Sequence, residues 1–236
     1  MTDCAFICPR RALACLWLAG VLAACPGWAM AGEPPDQDIQ VWTPTVCQVG
    51  LSERWTVHIE TQVKVVQDVH EVQNSLLRSA VMVKVGKSAT LYVGYAWIPY
   101  FYPVRTNEHR TWQQVVWTAR AGKWTLAPRV RFEQRFLPAV GRASFRLRGQ
   151  LKAMLPLSAD GSWQLSVSDE VFLHLNTSDP ARRSGFAGNR AQLGVTRRVS
   201  RQISIEPAYL LQHVERPDRL RDEIDHVIML TTVVRF

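Results

Sequence analysis

Arg129, Arg131, Glu133 and Arg135 recur at every second position, and Arg142, Arg146 and Arg148 return in the same phase after a short link. A period of two places these side chains on one face of extended chain. Glu170, Arg190 and Glu206 fall on the corresponding phase of later segments. Like charges facing one another across strands repel, so the arginines require carboxylates as two-pronged partners or must stay hydrated. Two chemistries fit that pattern: a structural ion-pair network that fills a narrow interior, and a basic constriction that favours anions.

A hydrolytic site is the third reading to weigh. His174, Asn176 and Ser178 lie close together, with His174 and Asn176 on one face. The spacing is H-x-N-x-S rather than the H-x-S of membrane-barrel lipid hydrolases. Glu170 is four residues from His174, about 13 Å along a strand at roughly 3.3 Å per residue, too far for a direct hydrogen bond. The chain has no G-x-S-x-G elbow, zinc-type Cys/His spacing, EF-hand loop or phosphate-binding glycine loop. Cys47 reads as a small packing residue. No catalytic residue, metal ligand or cofactor is expected.

The elements that must carry these residues are strands. In residues 123–155 the apolar positions Trp124, Leu126, Val130, Phe132 and Phe136, then Phe145, Leu147, Leu151 and Leu155, alternate with the charged ones. Both segments are long against a usual strand of about 5 to 6 residues, and long enough for the roughly 9 to 11 that cross a bilayer at a tilt. The pattern repeats over residues 53–66, 75–85, 89–98, 108–120, 162–176, 188–199, 202–214 and 223–236, with no amphipathic helix. A soluble barrel would turn the apolar face inward. Repetition along nearly the whole chain favours the reverse, in which Phe132 and Phe145 meet lipid and the arginines face a lumen.

The fold expected is therefore all-β: a single antiparallel up-and-down transmembrane barrel of about ten strands over residues 53–236. Residues 32–52 form a lead-in with one weak strand near 39–49, which Pro44 demotes from the main ladder. Counting that strand would break the even parity, unless it hides half of a hairpin and makes twelve. Short connections at 86–88, 120–123, 158–161 and 199–201 alternate with longer ones at 68–74, 99–107, 177–188 and 215–222. This matches short periplasmic turns and longer external loops. Trp55, Trp117, Trp124 and Trp163 sit beside short connections, as an interfacial aromatic girdle would, while Tyr95, Trp97, Tyr100, Phe101 and Tyr102 suit the opposite rim. The last strand alternates to a terminal Phe236, an end that resembles the signal read by the outer-membrane barrel assembly machinery.

The N-terminus agrees with export. Arg10 and Arg11 precede an apolar run and then Ala29-Met30-Ala31, the layout of a secretory signal peptide over residues 1–31. A competing lipobox at Leu22-Ala23-Ala24-Cys25 would make Cys25 a lipidated N-terminus. Four of the five cysteines fall in this leader, which leaves Cys47 without an intramolecular partner. The formal charge of +8 is spread inside strands rather than along a basic helix or loop, so nucleic acid is not an expected partner.

Taken in order, residues 108–114 (Glu-His-Arg-Thr-Trp-Gln-Gln), 129–136 (Arg-Val-Arg-Phe-Glu-Gln-Arg-Phe), 145–148 (Phe-Arg-Leu-Arg), 169–176 (Asp-Glu-Val-Phe-Leu-His-Leu-Asn) and 188–190 (Gly-Asn-Arg) resemble the successive blocks of DUF2490. That family comprises uncharacterised bacterial proteins taken to be outer-membrane barrels, and the resemblance runs over roughly residues 37–236. It implies a fold and a location and carries no activity. The expectation is an outer-membrane barrel with an Arg/Glu-filled lumen, lipids as its surroundings and the assembly machinery as its partner. The alternatives are a small anion-favouring pore, an outer-membrane lipid hydrolase and a soluble periplasmic ligand-binding barrel.

Overall fold

The computed structural model describes residues 35–138, 140–179, 182–216 and 221–236; the expected leader and Cys25 lie outside the described residues. Among the described residues there is no helix, and the chain forms one closed barrel. In chain order the strands are β1 (Asp36–Trp42), β2 (Thr45–Gly50), β3 (Trp55–Val66), β4 (Glu71–Val85), β5 (Ala89–Tyr100), β6 (Thr106–Trp117) and β7 (Ala119–Ala121). They continue as β8 (Trp124–Phe136), β9 (Ser144–Pro156), β10 (Trp163–His174), β11 (Gly185–Arg198), β12 (Ile203–Val214) and β13 (Glu223–Arg235). From β3 to β13 consecutive neighbours pair antiparallel, as period-two segments joined by tight links must.

The thirteen segments make eleven staves. β6 and β7 both pair with β8 and act as one strand bent at Thr118. β1 and β2 likewise act as one strand, and that strand closes the barrel. It runs antiparallel to β3 on one side and parallel to β13 on the other. Residues 36–50, expected as a lead-in outside the ladder, are thus an integral stave.

Pro44 does not demote this stave, because the register passes straight through it. Trp42 faces Met229 before the break and Thr45 faces Thr232 after it. The proline carbonyl still accepts the N–H of Thr232 at 2.9 Å, and the neighbouring Thr43 N–H bonds Val63 O at 3.1 Å. Proline removes one donor and leaves its acceptor, so a break one rung wide suffices. The parity expected of an antiparallel barrel fails for the same reason: a parallel seam closes an odd number.

Links at 51–54, 86–88, 122–123, 157–162 and 199–202 share one rim with Phe236, and those at 67–70, 101–105, 137–143, 175–184 and 215–222 share the other. The first of the latter is short rather than long. It is a tight turn in which Gln67, Asp68 and Val69 have φ of 55°, 52° and 68°, with the Asp38 carboxylate accepting the N–H groups of Gln67 and Asp68. On the opposite rim Asp160 accepts from the Ser158 hydroxyl and from the N–H and hydroxyl of Ser162, which hold its carboxyl well below the usual carboxylate range.

Alternation sorts the side chains as expected. Val63, Leu77, Val93, Val130, Val167, Leu193 and Ile228, on seven different strands, are 40 to 63% exposed and form an apolar outer surface. Phe132 and Phe145 stack on that surface with centroids 6.0 Å apart. Polar groups that interrupt it are paired with one another: Gln134 bonds Thr111 and Gln113, Asn189 bonds Asp169, and Tyr95 and Tyr209 bond His109 and His226. Trp55, Trp117, Trp124, Trp163 and Phe236 are 36 to 66% exposed at the rim with the short turns. At the other rim Tyr95, Trp97 and Phe101 are outward, whereas Tyr100 turns inward to bond Glu108.

Inside, the most buried side chains are as much polar as apolar and include Glu108, Glu133, Asp225, Trp112 and Val227. Gly94 lies under Trp112: a Cβ there would stand 2.6 Å from the indole and closer still to the Ser79 carbonyl. Gly94→Ala is expected to lower stability by about 1–3 kcal/mol through overpacking, read as an earlier unfolding midpoint in detergent micelles.

Candidate functional site

The charged faces of β6, β8, β9, β10 and β11 meet inside the barrel. Register places arginines opposite arginines, Arg110 against Arg135 and Arg131 against Arg148. Side by side in a poorly hydrated interior these pairs would repel strongly. A glutamate from a neighbouring rung resolves each clash. Glu108, fully buried, accepts Arg110 through Nε and Nη2 at 2.5 and 2.9 Å and Arg135 through Nε and Nη2 at 2.6 and 3.0 Å. Glu133 accepts Arg146 at 2.5 and 2.9 Å and Arg148 Nη1 at 2.8 Å, with Arg131 farther off at 3.7 Å.

Glu170 holds Arg148 together with Arg129. It accepts Arg148 through Nε and Nη2 at 2.9 and 2.8 Å and Arg129 Nη2 at 2.5 Å. Arg148 therefore bridges Glu133 and Glu170, linking β8, β9 and β10 in one network. These are two-pronged, charge-assisted contacts, the strong kind. Six of the residues expected in a lumen network (Arg129, Arg131, Glu133, Arg146, Arg148 and Glu170) are brought together here. Arg135 joins the Glu108 group.

Glu206 and Arg190 belong elsewhere. Glu206 accepts Lys152 at 3.1 Å, Gln192 at 2.8 Å and Thr196 at 2.6 Å, forming its own group toward the short-turn rim. Arg190 donates Nε to Gln212 at 2.5 Å and lays its guanidinium 4.9 Å from the Trp42 ring and 4.7 Å from Phe172. Arg142, expected in phase with Arg146 and Arg148, is an exposed link residue beyond the start of β9.

Sequence reasoning missed Glu108, Arg110, Glu60, Arg78, Lys64 and Trp42 as interior residues. Period-two alternation in β3, β4 and β6 was the available signal, since Glu60, Gln62 and Lys64 share a phase, as do Glu108, Arg110 and Trp112. Arg78 donates to Glu60 at 2.8 Å, and Lys64 Nζ stands 3.6 Å from the Trp42 centroid. Trp42 is thus flanked by two cations, Lys64 and Arg190, and neither has a carboxylate within 4.0 Å among the described residues. Arg131 leans on Gln114 at 2.7 Å and on the Trp112 ring at 4.5 Å, and Arg129 Nε is buried without a partner. Lys64, Arg129, Arg131 and Arg190 line a cavity of about 530 Å³.

The residues of the hydrolase reading are engaged otherwise. Asn176 clamps the start of β9, accepting Phe145 N at 2.7 Å and donating to Ala143 O at 2.9 Å. His174 Nδ1 is buried with no partner, and Ser178 bonds within its own link. Glu170 is saturated by arginines. No nucleophile–base pair forms among these four residues.

Glu170→Gln keeps the shape and removes the charge that two arginines share. With the Glu170 side chain 5% exposed, the expected loss is about 3–5 kcal/mol, measured as unfolding in micelles. Arg129→Gln combined with Glu170→Gln is expected to cost less than the sum of the two changes.

The family model described as "Protein of unknown function (DUF2490)" matches residues 39–223, a span that includes every residue of the Arg/Glu network. An uncharacterised protein of Methylorubrum extorquens is 31% identical over 215 residues, covering 88% of this chain and 92% of its own length. With a family match over most of its length and a relative at this identity, the chain belongs to the DUF2490 family of proteins of unknown function, and it folds as a closed β-barrel.

Proposed function

We propose that the protein is an outer-membrane β-barrel whose wall faces lipid and whose interior is held together by the Arg/Glu network, without catalysis. The observation that carries this reading is the outer surface: exposed Val, Leu, Ile and Phe ring a barrel whose charges point inward. Soluble monomers rarely leave apolar patches beyond a few hundred Å², whereas lipid requires such a band. The tryptophans at the short-turn rim fit an interfacial girdle, and strands of 12 to 15 residues are long enough to span. In this reading the short turns and Phe236 face the periplasm, the barrel assembly machinery reads the last strand, and residues 1–31 direct export.

A specific observation favours anions within this interior. Lys64 and Arg190 flank Trp42 beside the cavity with no carboxylate within 4.0 Å among the described residues, so two cations without a direct ion pair face the cavity. A small anion-favouring pore is the functional reading that follows.

Membrane fractionation with heat-modifiable gel mobility tests the fold and compartment together. The expected result is a compact band in the outer-membrane fraction, while a product that stays in the aqueous fraction without detergent overturns the reading. Val167→Arg, near the middle of β10 on the outer face, is expected to cost about 2–4 kcal/mol of folding stability in lipid. In planar bilayers under a KCl gradient, the reversal potential should favour chloride and shift toward zero in Lys64→Gln with Arg190→Gln. A barrel that folds in the bilayer and passes no current leaves the structural role alone.

A further inference from the structure

The parallel seam sets acidic residues beside one another, and Arg190 reaches them only through Gln212, which bonds Asp225. Asp38 of β1 lies directly opposite Asp225 of β13, and Asp36 opposite Glu223. The carboxylate oxygens of Asp38, Glu223 and Asp225 lie within 4.8 Å of one another. Elsewhere in the barrel, like charges brought face to face receive a counter-ion from a neighbouring rung. Here Arg216 pairs with Glu223, while Lys64 and Arg190 act on Asp225 only from beyond ion-pair distance.

Two further observations point to a ligand rather than to surplus charge. Asp38 is fixed by donors that occupy only part of its carboxylate: Gln40 Nε2 at 2.9 Å, Asp68 N at 2.9 Å and Gln67 N at 3.2 Å. Asp225 is 1% exposed; one of its oxygens accepts from Gln212, and the other, Oδ1, is buried with no partner. A buried carboxylate oxygen left unpaired is costly, and a cation is the partner that would satisfy it.

We propose that Asp38, Glu223 and Asp225 form a divalent-cation site that fastens β1 to β13 and so latches the barrel. An all-oxygen, carboxylate set with no imidazole or thiolate suits a hard ion. The site is assigned to Ca²⁺, which accepts irregular all-oxygen sets and bidentate carboxylates, whereas Mg²⁺ demands near-ideal octahedral geometry and gives up its waters reluctantly. Its place matters because the seam is where parallel pairing, slightly weaker per residue, closes a strand already broken at Pro44.

The test uses the mature chain refolded in detergent micelles and stripped with EDTA, titrated calorimetrically with CaCl₂ and MgCl₂ alongside thermal unfolding. The expected result is saturation at one Ca²⁺ per chain, Mg²⁺ at least tenfold weaker, and a rise of several degrees in unfolding midpoint that EDTA reverses. Asp225→Asn and Asp38→Asn should each lose the binding and the rise. Asp160→Asn, at the opposite rim, should keep both. The wild-type titration stands even where a seam variant does not fold. No Ca²⁺-dependent heat or midpoint shift overturns the site, as does a wild-type midpoint indifferent to Ca²⁺ with Asp225→Asn more stable, which would mean the trio merely shares a proton. Several weakly bound ions per chain, retained in Asp225→Asn, also overturn it.

Discussion

The barrel depends on neutralising arginines that its own register forces together. Arg110 opposes Arg135 and Arg131 opposes Arg148, and removing a charged side chain from water without a partner costs more than most folds can bear. Glu108, Glu133 and Glu170 resolve this by each accepting two arginines. The arrangement is register-sensitive. A slip of β9 by one residue against β8 would send Arg146 and Arg148 to the outer surface and bring Leu147 inward, leaving Glu133 without its partners. The ion pairs thus choose one alignment among those that apolar alternation would tolerate, and Trp112, stacked between Arg131 and Gly94, fills the space the guanidiniums leave.

Much of this was legible from spacing alone. The long strands, the outward Phe132 and Phe145, the inward Arg129 to Arg148 row and the tryptophans beside the short turns all follow from a two-residue period and from link length. What spacing does not encode is which strands become neighbours around a curve. Glu206 shares the phase of Glu170 yet pairs with Lys152, because strand order and stagger set it at another height. Pro44 misled for a local reason. Its missing N–H argues against a ladder, but its carbonyl remains an acceptor, and only the partner strand reveals that Thr232 uses it. Tyr100 looked like a rim aromatic because it adjoins Phe101 and Tyr102; the strand's phase turns it toward Glu108 instead.

The interior is not uniformly neutral, and that difference separates framework from function. Saturated groups such as Glu108 with its two arginines have no capacity left for a solute, and their role is to hold staves together. Lys64 and Arg190 rest on the faces of Trp42, whose π-system offers weak attraction that desolvation can strengthen to about 2 kcal/mol. Cations held this way keep their hydrogen-bonding capacity for something else. Trp42 also packs with Leu210, Val227 and Met229, so the same indole belongs to the apolar plug and to the charged wall.

An odd number of staves has a consequence for the chain's two ends. Because β1 runs alongside β13 in the same direction, the polypeptide enters the barrel at the rim of the 67–70 and 175–184 links and leaves it at the rim of the 199–202 turn. An up-and-down barrel with an even count returns its end to the side where it began, and this one does not. Anything fused ahead of Asp36 and anything fused behind Phe236 would emerge at opposite rims, and the wall is closed only where the first stave runs the height of the last.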